Sequence, residues 1–154
     1  MITQTAGTLV VMRACQMRSD FTFALPDRPG ALAALAATMR AADVNLLSLR
    51  AVPELPGEQA MVGCVPESAD QFRNFADSAG LSVTERPVCF VEGVDEPGAL
   101  RHILEQVASA DINVESIESV AFAGRYGALL RTAPADWNRV AGIIQGSPAN
   151  PTAE

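Results

Sequence analysis

Lysine is missing from this chain: all eleven basic residues are arginines, set against eighteen Asp and Glu. The net charge is −7 at neutral pH with a pI near 4.6. A chain this acidic lacks the basic surface that a nucleic-acid partner requires. The absence of lysine itself reads as codon bias and carries no functional weight. Cysteine is sparse. Cys15, Cys64 and Cys89 form no CxxC pair and no metal-ligand spacing. Each sits in an apolar, strand-like run, so the expectation is three separate, buried, reduced thiols and no metal.

Catalytic constellations are missing as well. His102 is the only histidine, and helical spacing sets it beside Arg101 on the solvent side. No Ser or Cys has a base at a recognisable spacing, and neither paired carboxylates nor a Gly-rich phosphate cradle occur. The expectation is a protein without catalysis and without a cofactor. No apolar run approaches the ~20 residues of a membrane span, and no charged segment followed by a long apolar stretch opens the chain. Cytoplasmic residence without a membrane partner is expected.

What is present is a repeat. Asp27 to Ser48, DRPGALAALAATMRAADVNLLS, returns as Asp95 to Ser116, DEPGALRHILEQVASADINVES. One spacing of 68 residues relates Pro29 to Pro97 and Asn45 to Asn113, and it continues through Val52/Val120, Ala60/Ala128 and Pro66/Pro134. A repeat of this length is a duplicated supersecondary unit. Each copy reads as a strand end, a tight turn, a helix and a second strand. Pro29 suits a first helical position because its φ is fixed and it has no N–H. Gly30 follows, and Asp27 is placed to cap the helix-start amides or to face a ligand. Leu32, Leu35, Ala36 and Met39 form a one-sided apolar stripe, matched by Leu100, Ile103, Leu104 and Val107. Asp43 and Asp111 interrupt the helix pattern before β-rich runs begin.

Along the chain, strands are expected at Thr8 to Met12, Phe21 to Leu25, 44–52 and 59–65. Pro66 opens a helix closed by Gly80, and Arg86-Pro87 turns the chain into the second copy. That copy runs helix 97–110, strands 112–122 and 127–132, and a helix opened by Pro134. The expected segments are an N-terminal piece (1–19), a first domain (20–87), a second (88–146) and a tail (147–154). Modules this small bury little apolar surface alone, so the two are expected to pack side by side. The Pro-rich tail is unsuited to a strand, so the second copy lacks its last one. Either the N-terminal run Thr8 to Met12 fills that edge, or translation begins later, at Met12 or Met17.

D-x-P-G-A-L at a strand-to-helix turn, with Asn at a strand start fifteen residues after the glycine, resembles the ACT domain in both copies, over most of the chain. The resemblance implies an α+β fold of two ferredoxin-like βαββαβ units, with antiparallel sheets and helices on one face. It also implies a stand-alone tandem pair that senses an amino acid, without catalytic activity. Carried over by position, the ligand contacts would be Asp27, Arg28, Pro29, Gly30, Ala31 and Asn45, and in the second copy Asp95, Gly98, Ala99 and Asn113. Helix-start amides suit a carboxylate, Asp27 an ammonium, and Asn45 either group. Arg28 becomes Glu96 in the second copy, which predicts tighter binding at the first turn. The alternative is a non-binding interaction or dimerisation module, or a regulatory subunit of an amino-acid biosynthetic enzyme, with the small subunit of acetolactate synthase as the family example. A homodimer is expected because Ala33, Ala34, Ala37 and Ala41 line the outer face of the first helix.

Overall fold

The computed structural model describes residues 14–146. The elements run β1 (Ala14–Pro26), α1 (Ala31–Ala41), β2 (Leu46–Leu55), β3 (Gln59–Pro66), α2 (Ala69–Ala79), β4 (Thr84–Val94), α3 (Arg101–Ser109), β5 (Val114–Phe122), β6 (Arg125–Thr132) and α4 (Trp137–Gly146). The described residues form two compact units, residues 18–88 and residues 14–17 with 89–146.

In the first unit β3 pairs antiparallel with both β1 and β2, Phe21 facing Cys64 and Leu49 facing Cys64 on its other side. The start of β4 lies on the free side of β1, where Glu85 is hydrogen-bonded to Ser19. The strand order is therefore that of a ferredoxin-like βαββαβ unit. Alternation along β1 and β3 sends Phe21, Phe23, Val62 and Cys64 to the helix side. There they meet Leu35 and Met39 of α1 and Phe72, Phe75 and Ala76 of α2. The Phe21 and Phe72 rings sit 4.5 Å apart, and Phe72 and Phe75 5.7 Å. Leu32 of the expected stripe stays 43% exposed.

The second unit repeats the arrangement with a largely aliphatic core, Tyr126 its one buried aromatic. Val91, Ile103, Val107, Leu130, Val140 and Ile144 are buried together. β6 pairs antiparallel with β4 and β5. The fourth strand position, beside β4, is taken by the first residues of β1, whose Cys15 and Met17 pack on this core. The strand in that position is formed by residues from 14 onward. The expected Thr8 to Met12 strand and the tail lie outside the described residues.

Three expectations need correction. β4 runs unbroken through Arg86 and Pro87, where a turn was expected. Proline holds φ within the extended range and pushes the residue before it toward extended backbone, so a strand accommodates the pair. Nor is the 68-residue spacing ungapped. Phe21 faces Cys64, but its counterpart Cys89 faces Leu130, 66 residues beyond Cys64. The β5–β6 hairpin is shorter by two, and α4 begins at Trp137, again 68 beyond Ala69. An even shift returns every side chain to its own face, so the apolar pattern survives it. The third correction concerns helix starts. α2 begins at Ala69 with Ser68 as N-cap, its hydroxyl accepting from the Gln71 amide at 3.3 Å, and α4 begins at Trp137. Pro66 and Pro134 stand upstream of both.

Candidate functional site

Arg28-Pro29-Gly30-Ala31 is a type II turn. Ala31 N–H donates to the Arg28 carbonyl at 3.3 Å, and Gly30 takes φ +88°. Pro29 therefore supplies the i+1 position of that turn, two residues before α1, and not the first helical residue. Glu96-Pro97-Gly98-Ala99 repeats the geometry, with Gly98 at φ +82° and a 3.0 Å hydrogen bond from Ala99 to Glu96. A Cβ built on Gly30 would meet nothing within 4 Å. The glycine is required by backbone conformation, and the space beside it is open. With Ala31 N–H engaged in the turn, the amides of Leu32 and Ala33 are the open donors of the first turn of α1.

Asp27 caps neither the helix nor empty space. Its Oδ2 accepts from the Gly57 amide at 2.8 Å, and its own N–H donates to the Glu58 carbonyl at 3.1 Å. The carboxylate ties the β1–α1 turn to the tip of the β2–β3 hairpin, leaving Oδ1 for another partner. In the second unit Asp95 N–H donates to Gly124 at 2.9 Å, across a hairpin whose tip residues Ala123 and Gly124 both have positive φ.

A cavity of about 230 Å³ opens at the first turn, lined by Asp27, Arg28, Ala31 and Leu32, and by Leu25, Pro26, Ala51, Val52, Pro53, Ala60 and Val62. The exposure of Leu32 is explained here: it forms an apolar wall. A second hollow of about 290 Å³ shares Arg28 and Ala31 and runs along Ala34 and Thr38 toward Phe75. Arg28 thus stands at the rim of both. The pocket is smaller than the roughly 300–1,000 Å³ of drug-sized ligands, and suits a small metabolite with an apolar part.

The remaining candidates are placed elsewhere. Asn45 is exposed and precedes β2, where its carbonyl accepts from Glu67 N–H at 3.0 Å. The turn lies near the other end of that ten-residue strand, about 30 Å away at 3.3 Å per residue. Within the unit, Asn45 and Asp27 do not meet. Asn113 likewise precedes β5, and Asp95, Gly98 and Ala99 form the other end of the second unit.

Sequence reasoning missed Asp20. It is 3% exposed and accepts from both terminal guanidinium nitrogens of Arg50, at 3.0 and 2.9 Å. Arg50 reaches it across β3 over Gly63, where an added Cβ would collide with the guanidinium carbon. Nothing in the local sequence signals a pair thirty residues apart. Burial, followed by the Asp20 charge, pushes the Cys64 thiol up to about 12. His102 is half-buried and not on open surface. Among the described residues no cluster of three metal-ligating side chains occurs, and no helix is long and apolar enough to cross a membrane.

Neither a protein-family model nor a curated protein sequence matches the chain. Solved structures do. Protein BT0572 from Bacteroides thetaiotaomicron superposes with TM-score 0.73 at 14% identity, over 85% of this chain and 88% of its own. The ligand-free regulatory subunit of aspartate kinase from Thermus thermophilus gives 0.59 at 16%, over 88% of this chain and 97% of its own. E. coli aspartokinase III in complex with lysine and aspartate gives 0.52 at 11%, over 92% of this chain and 34% of its own. With its ferredoxin-like units and these structural relatives, the chain has an ACT-type fold.

Proposed function

We propose that the chain is a regulatory ACT-domain protein that binds an α-amino acid with an apolar side chain at the β1–α1 turn of its first unit. The observation that carries this reading is the 230 Å³ cavity, in which Arg28 and Asp27 share one pocket with aliphatic walls. Arg28 and the amides of Leu32 and Ala33 receive the carboxylate, Asp27 Oδ1 the ammonium, and Leu25 and Leu32 the side chain. Pro29, Gly30 and Ala31 shape the turn. The Asp95, Gly98 and Ala99 turn is the weaker site, because Glu96 replaces Arg28 there. Asn45 and Asn113 mark the opposite ends of their units and contribute nothing to a ligand bound at their own unit's turn. The chain acts on a metabolic enzyme, a reading supported by its likeness to structures described as regulatory subunits of aspartate kinase. It assembles as a homodimer through the exposed alanine face of α1.

A second reading, an interaction module without a ligand, is favoured by apolar residues left in the open on β2 and β5, among them Val52 at 57%, Val120 at 72% and Phe122 at 84% exposure. Thermal-shift and calorimetric titration against the proteinogenic amino acids separate the two. Leucine, isoleucine or valine should raise the Tm by mass action, and aspartate and lysine should not. Arg28→Ala should weaken binding about fivefold, one exposed charge contact being worth roughly 1 kcal/mol. No shift with any amino acid at millimolar concentration leaves the interaction module.

A further inference from the structure

Cys15 and Cys89 are not separate thiols. Cys15 lies in the first residues of β1 and Cys89 in β4, neighbouring strands in the sheet of the second unit. Their side chains are hydrogen-bonded to each other, and Cys15 packs half-buried on the core that contains the buried Cys89. Residues opposed on neighbouring antiparallel strands have Cα atoms about 4.5 or 5.5 Å apart, inside the roughly 4.4–6.8 Å that a disulfide spans. The two are 74 positions apart in the chain (89 against 15), so a bond between them would fasten the incoming N-terminal strand to a unit otherwise built from residues 89–146.

We propose that Cys15 and Cys89 form a reversible intramolecular disulfide on exposure to peroxide, a modification that locks the N-terminal strand into the second unit. The hydrogen bond from the Cys89 thiol holds Cys15 below the ordinary thiol value of 9.0, which makes Cys15 the attacking sulfur. The reciprocal contact and burial raise Cys89, so it waits as a protonated thiol. The Cys15 thiolate attacks one peroxide oxygen, the O–O bond breaks, and the departing hydroxide leaves as water after taking a proton. Cys15 is then a sulfenic acid. The Cys89 sulfur attacks the Cys15 sulfur, the S–O bond breaks, and the Cys89 proton leaves with the hydroxyl as a second water. One peroxide is reduced to two waters while two thiols become one disulfide. Cys64 takes no part: it lies in the core of the first unit, and its thiol is pushed up to about 12.

The test uses the full chain, reduced, treated with hydrogen peroxide, alkylated and digested without reductant. Peptides carrying Cys15 and Cys89 should be joined, with the intact mass lower by two hydrogens and Cys64 alkylated only after unfolding. The Tm should rise by about 5–10 °C and fall back with dithiothreitol. In Cys89→Ser the reaction should stop at a sulfenic acid on Cys15 that dimedone traps. In Cys15→Ser no linked peptide should form. Sulfinic acid on Cys15 with Cys89 still free, a disulfide between two copies, or a link through Cys64 would each overturn the proposal.

Discussion

At the scale of single residues, the pair formed by Asp20 and Arg50 is the strongest polar feature of the first unit. A carboxylate 3% exposed needs a partner that satisfies both oxygens, and a planar guanidinium does so in one approach. Removing one partner of such a pair strands the other, at a cost of about 3 kcal/mol. Arg50→Met should therefore lower stability by about that amount in urea titration. Gly63→Ala tests the same pair from the side. Its methyl would occupy the guanidinium position, so Arg50 must leave Asp20, and the substitution should cost about 1–3 kcal/mol in the wild type. In an Arg50→Met background most of that cost should vanish. Additive losses would mean that Gly63 is needed for some other reason. None of this was legible in the sequence: Asp20, Arg50 and Gly63 come from three strands, and only the register joins them. The turn residues were legible, because Pro-Gly twice in the same context has few backbone solutions. The role of Asp27 was not, since its acceptor bond is made to a hairpin thirty residues away.

At the scale of elements, the two type II turns separate conformation from space. Gly30 has open surroundings and a φ of +88°, so Gly30→Ala introduces no clash and still should cost about 1–2 kcal/mol, the penalty of left-handed backbone for an L-residue. A neutral result would show that the turn had changed type, and the α1 start would move with it. The strand β4 shows why helix and strand edges were harder to place from sequence. Arg86-Pro87 carries a strong local turn signal, yet the strand continues because both of its ends have cores to join. Glu85, near its start, receives two bonds from Arg73 of α2, at 2.9 and 2.6 Å. That hydrogen bonding holds the Glu85 carboxyl below its ordinary value of 4.5. A folded-state value lower than the unfolded one contributes stability above the unfolded value and loses it as pH falls through the folded one. Unfolding free energy should thus decline in acid below about pH 4.5. Glu85→Gln should flatten that decline, with little further change at higher ionic strength. An unchanged acid slope would assign the decline to other carboxylates.

At the scale of the whole molecule, the duplicated stretch announced two modules, and their cores differ as the two copies of the sequence do: rich in phenylalanine in the first, largely aliphatic in the second. The strand that completes the second unit was harder to place. The chain holds no β-rich run after α4, and strand propensity alone drew attention to Thr8 to Met12. The start of β1, Ala14 to Met17, is a short apolar run around one glutamine, with none of the β-branched residues that mark Thr8 to Met12. It is held because Cys15 and Met17 meet a core and because β4 would otherwise present an open edge in that unit. Removing residues 1–16 tests this directly. The second unit should keep only β5, β6 and β4, and its amides in β4 and α3 should exchange faster. The β1–β3 amides around Phe21 and Cys64 in the first unit should remain protected. Hydrogen exchange followed by mass spectrometry reads both regions in one experiment. Uniform loss of protection would mean that the two units unfold as one. Full protection everywhere would mean that Ala14 to Gln16 carries no structural weight.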